Sequence, residues 1–156
     1  MFVLATANDI SQLPPELLRK GRVDEIFFVD LPDCQARQEI ISIHLRRRQR
    51  EFPEPELSRI AKEAKGYTGA ELEEAVKEAL FRAFDEGRQV ESNDVIAAIK
   101  DSYPLSKTMQ EVIEATRKWA KSRAVQASSK EPEAFNEKPK ETKTPRLRQE
   151  AANPFI

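Results

Sequence analysis

Few side chains in this sequence could do chemistry. It has one histidine, His44, and one cysteine, Cys34. With no Cys or His pair at ligand spacing, zinc clusters and nucleophilic triads find no footing. No G-x-x-x-x-G-K-[ST] run occurs, so the loop that cradles phosphates in P-loop proteins is not present in the sequence. The apolar run Phe27-Phe28-Val29-Asp30 leads into Leu31-Pro32, so no second carboxylate stands beside Asp30 to polarise a water. On residues alone, the chain is not expected to hydrolyse a nucleoside triphosphate.

What remains is a scattered set. Asn8 follows an apolar run, and an amide can donate and accept hydrogen bonds without adding charge. It also reads as an ordinary turn residue. Arg19 and Lys20 suit the C-terminus of a short helix, with Arg22 just beyond. His44 by itself is a half-buried helix histidine. At Thr68-Gly69-Ala70 a helix begins, offering free N–H groups beside a residue that lets backbone approach closely. The densest basic patch is Arg46-Arg47-Arg48 with Arg50. No aromatic residues interleave with it to stack on bases, so it reads as a solvated helix end or a subunit contact.

The 156 residues hold 26 Lys+Arg against 27 Asp+Glu, a net charge of −1. That balance argues against a protein devoted to coating nucleic acid. A single thiol in a chain that is 34% charged fits a reducing compartment, and a cytoplasmic address is expected. No window approaches the roughly 20 apolar residues needed to cross a bilayer. The apolar start, Phe2 to Ala7, has no preceding Lys or Arg and makes a poor signal peptide.

Two segments read as strands, Phe2 to Thr6 and Glu25 to Asp30, both continuously apolar as in a sheet covered on two faces. Between them Pro14 to Gly21 has the marks of a short helix. Asp33 can cap a helix to about Arg48 with Ala36, Ile40, Ile41 and Ile43 on its apolar side. Leu57, Ile60, Ala61 and Ala64 define the next helix, ended by Gly66. Thr68 with Glu71 makes a capping box ahead of the stripe Leu72, Ala75, Val76, Ala79, Leu80, Ala83. Ser92 to Asp101 forms a shorter helix on Val95, Ile96 and Ile99, and Ser106 to Val125 a last one, with Trp119 beside its stripe. From Ala127 onward the sequence is rich in Lys, Glu and Pro and poor in large apolar residues, and it reads as a disordered tail.

These motifs, in this order, resemble a known family. Phe2-Val3-Leu4-Ala5-Thr6-Ala7-Asn8-Asp9, then Leu13-Pro14-Pro15-Glu16-Leu17-Leu18-Arg19-Lys20-Gly21-Arg22-Val23-Asp24, resembles the second half of an AAA ATPase module. Ile43-His44 and Gly66-Tyr67-Thr68-Gly69-Ala70-Glu71-Leu72 resemble that module's helical lid. The likeness covers roughly residues 2 to 101, and it is nearest to the uncharacterised AAA ATPases of cyanobacteria and plastid genomes, whose ends also resemble Tyr103-Pro104-Leu105-Ser106.

The resemblance implies a fold and a set of roles. The fold would be an α/β remnant of two strands and a short helix, from the end of a P-loop α/β domain, followed by an all-α lid bundle. Residues 1–32 would close the nucleotide-binding domain, 33–102 form the lid, 103–126 a C-terminal helix, and 127–156 the tail. Asn8 would hold the attacking water as the first sensor. Arg19 and Arg22 would be arginine fingers reaching the nucleotide of a neighbouring subunit. His44, Gly69 and Ala70 would lie near adenine and ribose. The sequence departs from lids with an arginine at the second sensor, since Gly69-Ala70-Glu71 supplies none.

The expected reading is therefore a partial AAA ATPase, lacking Walker A and Walker B, whose parent activity is ATP binding and hydrolysis in an oligomeric ring. ATP and Mg2+ would belong to the complete module, with neither bound tightly by this chain alone. Expected partners are other AAA subunits and a protein substrate of unknown identity; nucleic acid and membrane are not expected. The alternative is a non-catalytic interaction module docking on complete AAA subunits. In the family's sheet the two strands flank a third, so here they must pair directly, find another partner or fray. The lid should be the stable part and the first thirty residues the labile one.

Overall fold

A computed structural model describes residues 2–14, 16, 21 and 23–128. The order of elements is a short 3-10 turn at Ile10–Gln12, β1 (Phe27–Phe28), α1 (Cys34–Arg46), α2 (Glu54–Glu63), α3 (Gly69–Asp85), α4 (Ser92–Asp101), α5 (Leu105–Thr108), α6 (Gln110–Arg123) and β2 (Val125–Gln126).

Helices α1 to α4 make the core. Ile41, Leu45, Ile60, Leu72, Val76 and Val95 are fully buried in it, each contributing about 1.5–3 kcal/mol by leaving water. The i, i+3, i+4, i+7 stripe of α2 is buried as expected, and Gly66 follows with a φ of +84°. Thr68 and Glu71 form the expected capping box, with Glu71 N–H donating to Thr68 Oγ1 at 3.3 Å and Thr68 N–H to Glu71 Oε2 at 2.8 Å. Its stripe is buried, with Leu80 half-buried at the edge. Tyr67 sinks its ring into the same core and donates its hydroxyl to the Ile99 carbonyl at 2.6 Å, tying the α2–α3 turn to α4.

Three expectations are corrected. First, α1 buries Arg37, Ile41 and Leu45, whereas Ile43 is about half exposed. Arg37 fits in the core because its Nε donates to the Ala61 carbonyl at 2.9 Å and its Nη1 to that of Pro32 at 2.8 Å. A buried guanidinium is stable only when carbonyls or carboxylates replace its water.

Second, Phe2 to Thr6 is not a strand. The run is exposed, Phe2, Val3 and Leu4 strongly so. The strand that pairs with β1 is β2, in parallel, with Phe27 opposite Val125 and Phe28 opposite Gln126. Val125 N–H donates to the Ile26 carbonyl at 2.8 Å and Ala127 N–H to that of Phe28 at 2.9 Å. An apolar run has strand character only where a second strand takes up its backbone groups, and among the described residues β1 pairs with β2 rather than with Phe2 to Thr6. The α/β remnant is thus two parallel strands drawn from opposite ends of the described chain.

Third, the last helix is broken. Met109, at φ −123° and ψ 32°, separates α5 from α6, and α6 gives way to extended backbone at Ala124. Ala120 is buried, while Val112 and Met109 remain largely exposed. The short helix expected over 14–21 and the tail beyond Ser128 fall mostly or wholly outside the described residues.

Candidate functional site

The expected nucleotide-facing residues of the lid come together on one seam. Helix α1 presents Ile40 and His44, followed at the next i+4 position by Arg48 in the turn past its end, and α3 presents Gly69, Glu73 and Lys77 in the same way. A Cβ on Gly69 would stand 3.8 Å from Ile40 Cδ1. His44 Nδ1 lies 3.8 Å from Glu73 Oε1. Arg48 Nη2 lies 3.4 Å from the same oxygen, and Lys77 Nζ 3.2 Å. The pairs ascend together, so the two helices run in the same direction along the seam, with α2 crossing back between them.

His44 is the electrostatic centre of this seam. Its side chain is 13% exposed, and Nδ1 is buried with no hydrogen-bond partner among the described residues. Burial, above all, holds its pKa below the usual 6.5, against the pull of Glu73 and with help from Arg47, Arg48 and Lys77. The imidazole is therefore neutral at pH 7, with one ring nitrogen able to accept a hydrogen bond. Glu73 is held as a carboxylate, its pKa lowered first by the hydrogen bond from Lys77.

One turn along the seam, Gly69 opens α3 and is half-buried, and Ala70 beside it is exposed. Glu71 is committed elsewhere: besides the capping box, its Oε1 accepts the Leu105 N–H at 2.6 Å. His44, opposite Glu73, thus stands one turn along the α1–α3 seam from Gly69, a neutral imidazole near a helix N-terminus, with Ala70 exposed beside Gly69. Such a surface offers a hydrogen-bond acceptor near the free N–H groups of a helix N-terminus. Among the described residues no group of three or more His, Cys, Asp or Glu could hold a metal.

Asn8 sits in an exposed bend ahead of the 3-10 turn, and no described contact joins it to the seam. Arg19 and Arg22 lie outside the described residues. The arginine cluster does not act as one patch. Arg48 is drawn to Glu73, and its Nη1 donates to the His44 carbonyl at 2.9 Å; Arg46 pairs with Glu51 at 3.6 Å. Sequence reasoning missed Glu73 and Lys77. Their signal was their i+4 spacing after Gly69, on the flank of the α3 stripe.

A second contact was also missed. Arg117 of α6 grips Asp30 just after β1, with Nε and Nη2 2.8 to 3.0 Å from the carboxylate oxygens. It pins the C-terminal helix to the strand pair rather than to the four-helix core.

Comparison with known proteins agrees with this architecture. Residues 54–98, which span α2 to α4, match the AAA+ lid domain family. The chain is 39% identical over 130 residues to the uncharacterised AAA domain-containing protein ycf46 of Guillardia theta, covering 83% of this chain and 26% of that protein. To its counterpart in Pyropia yezoensis it is 43% identical over 121 residues, 77% of this chain and 25% of the relative. The proteasome-activating nucleotidase of Aeropyrum pernix is 37% identical over 99 residues, 63% of this chain and 24% of the relative. The chain thus spans about a quarter of the length of the curated relatives it matches. The lid match over α2 to α4, together with relatives that share the AAA domain, relates this chain to the C-terminal part of AAA+ ATPases.

Proposed function

We propose that this chain supplies the lid and the trans-acting end of an AAA ATPase module working on ATP within an oligomeric ring. The observation that carries the reading is the α1–α3 seam, where neutral His44 stands one turn from the capped N-terminus at Gly69. There the imidazole and the backbone of Gly69 and Ala70 would contact adenine and ribose. Asn8 would orient the attacking water, and Arg19 and Arg22 would reach the phosphates bound by the neighbouring subunit. ATP and Mg2+ would be held by a complete module, whose phosphate loop this sequence does not contain. A cytoplasmic address accords with the free Cys34; among the described residues no helix is long and apolar enough to cross a membrane.

On this reading the purified chain neither binds ATP tightly nor turns it over. Calorimetric titration with Mg-ATP, paired with a phosphate-release assay, tests it. Micromolar binding with steady turnover by a contaminant-free sample would overturn it.

A second reading is a non-catalytic module that docks on complete AAA subunits. It is favoured by β1, whose hydrogen bonds to β2 occupy one edge only: Ile26 and Phe28 face β2, which leaves the backbone of Phe27 and Val29 directed to the other side. Co-expression with a complete relative tests this reading. Failure to co-purify, with no change in the relative's ATPase rate, would count against it.

A further inference from the structure

Past the seam, the C-terminal half of α3 opens a groove of about 990 Å³ that the nucleotide reading does not use. Its apolar floor is Leu80, Phe81, Phe84 and Val90. Phe81 and Phe84 are 70% and 82% exposed, and at i, i+3 spacing they are neighbours on the helix surface. Among the described residues four cations line the same groove, Arg48, Arg50, Lys77 and Arg88, and no carboxylate does.

Three of these cations are already engaged from behind. Arg48 and Lys77 lean on Glu73, and Arg88 binds Asp94 through two bonds of 2.6 and 2.7 Å. Among the described residues the guanidinium of Arg50 donates only to the Gln49 carbonyl, at 3.1 Å. An occupant must therefore bring an aromatic or apolar anchor together with negative charge.

The sequence contains a segment of that description. Glu131-Pro132-Glu133-Ala134-Phe135-Asn136-Glu137 places three carboxylates and one aromatic ring at alternate positions. In an extended chain alternate side chains share a face, and Pro132 favours extended backbone for its predecessor. We propose that this segment of the chain seats in the groove, Phe135 against Phe81 and Phe84 with its flanking carboxylates on the cationic rim. The reach suffices. Helix α1, with 13 residues, is about 20 Å long and leads from just after β1 to just before Arg48 and Arg50 on the groove, while the stretch from Ser128 to Phe135 can extend to about 25 Å.

The test replaces Phe135 by benzoylphenylalanine in the full chain and irradiates it. Adducts are expected on peptides covering residues 77–90, at the mass of a single chain. Phe84→Ala and, separately, Arg50→Glu should each lower the adduct yield roughly fivefold, as for loss of a principal anchor. Both side chains are outside the core, so the fold is kept, and unchanged far-ultraviolet circular dichroism would verify it. Adducts at twice the chain mass would assign the groove to a second copy and overturn seating within one chain. Adducts spread over the surface, or a yield that neither substitution moves, would overturn the groove itself.

Discussion

Arg117 meets Asp30 side-on, Nε and Nη2 both within 3.0 Å of the carboxylate, across 87 positions of sequence. The Asp30 side chain is 8% exposed and that of Arg117 15%. A pair so placed gains from geometry what it loses in hydration, and removing one partner strands the other.

Asp30→Asn therefore should cost about 3 kcal/mol of the local stability that holds α6 and β2. Amide hydrogen exchange is the measurement. Protection should fall across 110–126 while 54–98 keeps its own, because α6 makes its chief contacts with α5 and β2 rather than with the lid helices. Equal loss in both regions would contradict a separate anchorage.

His44 predicts a pH dependence. Its folded-state pKa is depressed, chiefly by burial, so the unfolded chain takes up the proton first. Stability is then complete above the usual 6.5 and declines as pH falls from there toward the folded-state value. Urea unfolding midpoints measured between pH 7.5 and 5 should show that decline, and His44→Gln should flatten it. The loss tied to Glu73 lies lower, because its carboxyl is held below the usual 4.5, so the two windows separate.

Two glycines with positive φ should respond differently to the same change. Gly87, at +67°, faces open space, and Gly87→Ala should cost only the left-handed penalty of about 1 kcal/mol. Gly66, at +84°, faces buried Ser106, whose Oγ a Cβ would strike. Gly66→Ala should cost at least 1 kcal/mol more, by overpacking, and thermal denaturation of the two variants decides it.

At the start of α3, Thr68→Ala should lose about 1 kcal/mol, the ordinary worth of an N-cap. Glu71→Ala should lose more, since the same carboxylate also holds Leu105 N–H at 2.6 Å. Calorimetric unfolding should rank the variants in that order. A reversed ranking would mean that the tie to α5 adds nothing.

What the sequence disclosed depended on how local the cause was. The stripes of α2, α3 and α4 and the Thr68–Glu71 box are written within a few residues, and they appear as read. The pairing of Phe27 with Val125 joins residues far apart in sequence, where apolarity marks both segments without matching them. Phe2 to Thr6 is the more apolar candidate, yet it lies exposed. Arg37 hid for the opposite reason: it occupies a position that periodicity reserves for an apolar side chain, and the carbonyls of Pro32 and Ala61 that receive it lie outside the local pattern. Position 109 gave no helix-breaking residue to read, so the split between α5 and α6 was silent.

The parallel β1–β2 pair also determines how the lid can move. Chain leaves the strand pair through Leu31 and Pro32, builds α1 to α4, and returns through α5 and α6 to the strand it left. In topology the lid is an excursion that begins and ends on adjacent strands, like a door hung on two hinges set into one frame. A body so attached has both its ends held at one place, so it can move relative to the strand pair only as far as its two connections allow.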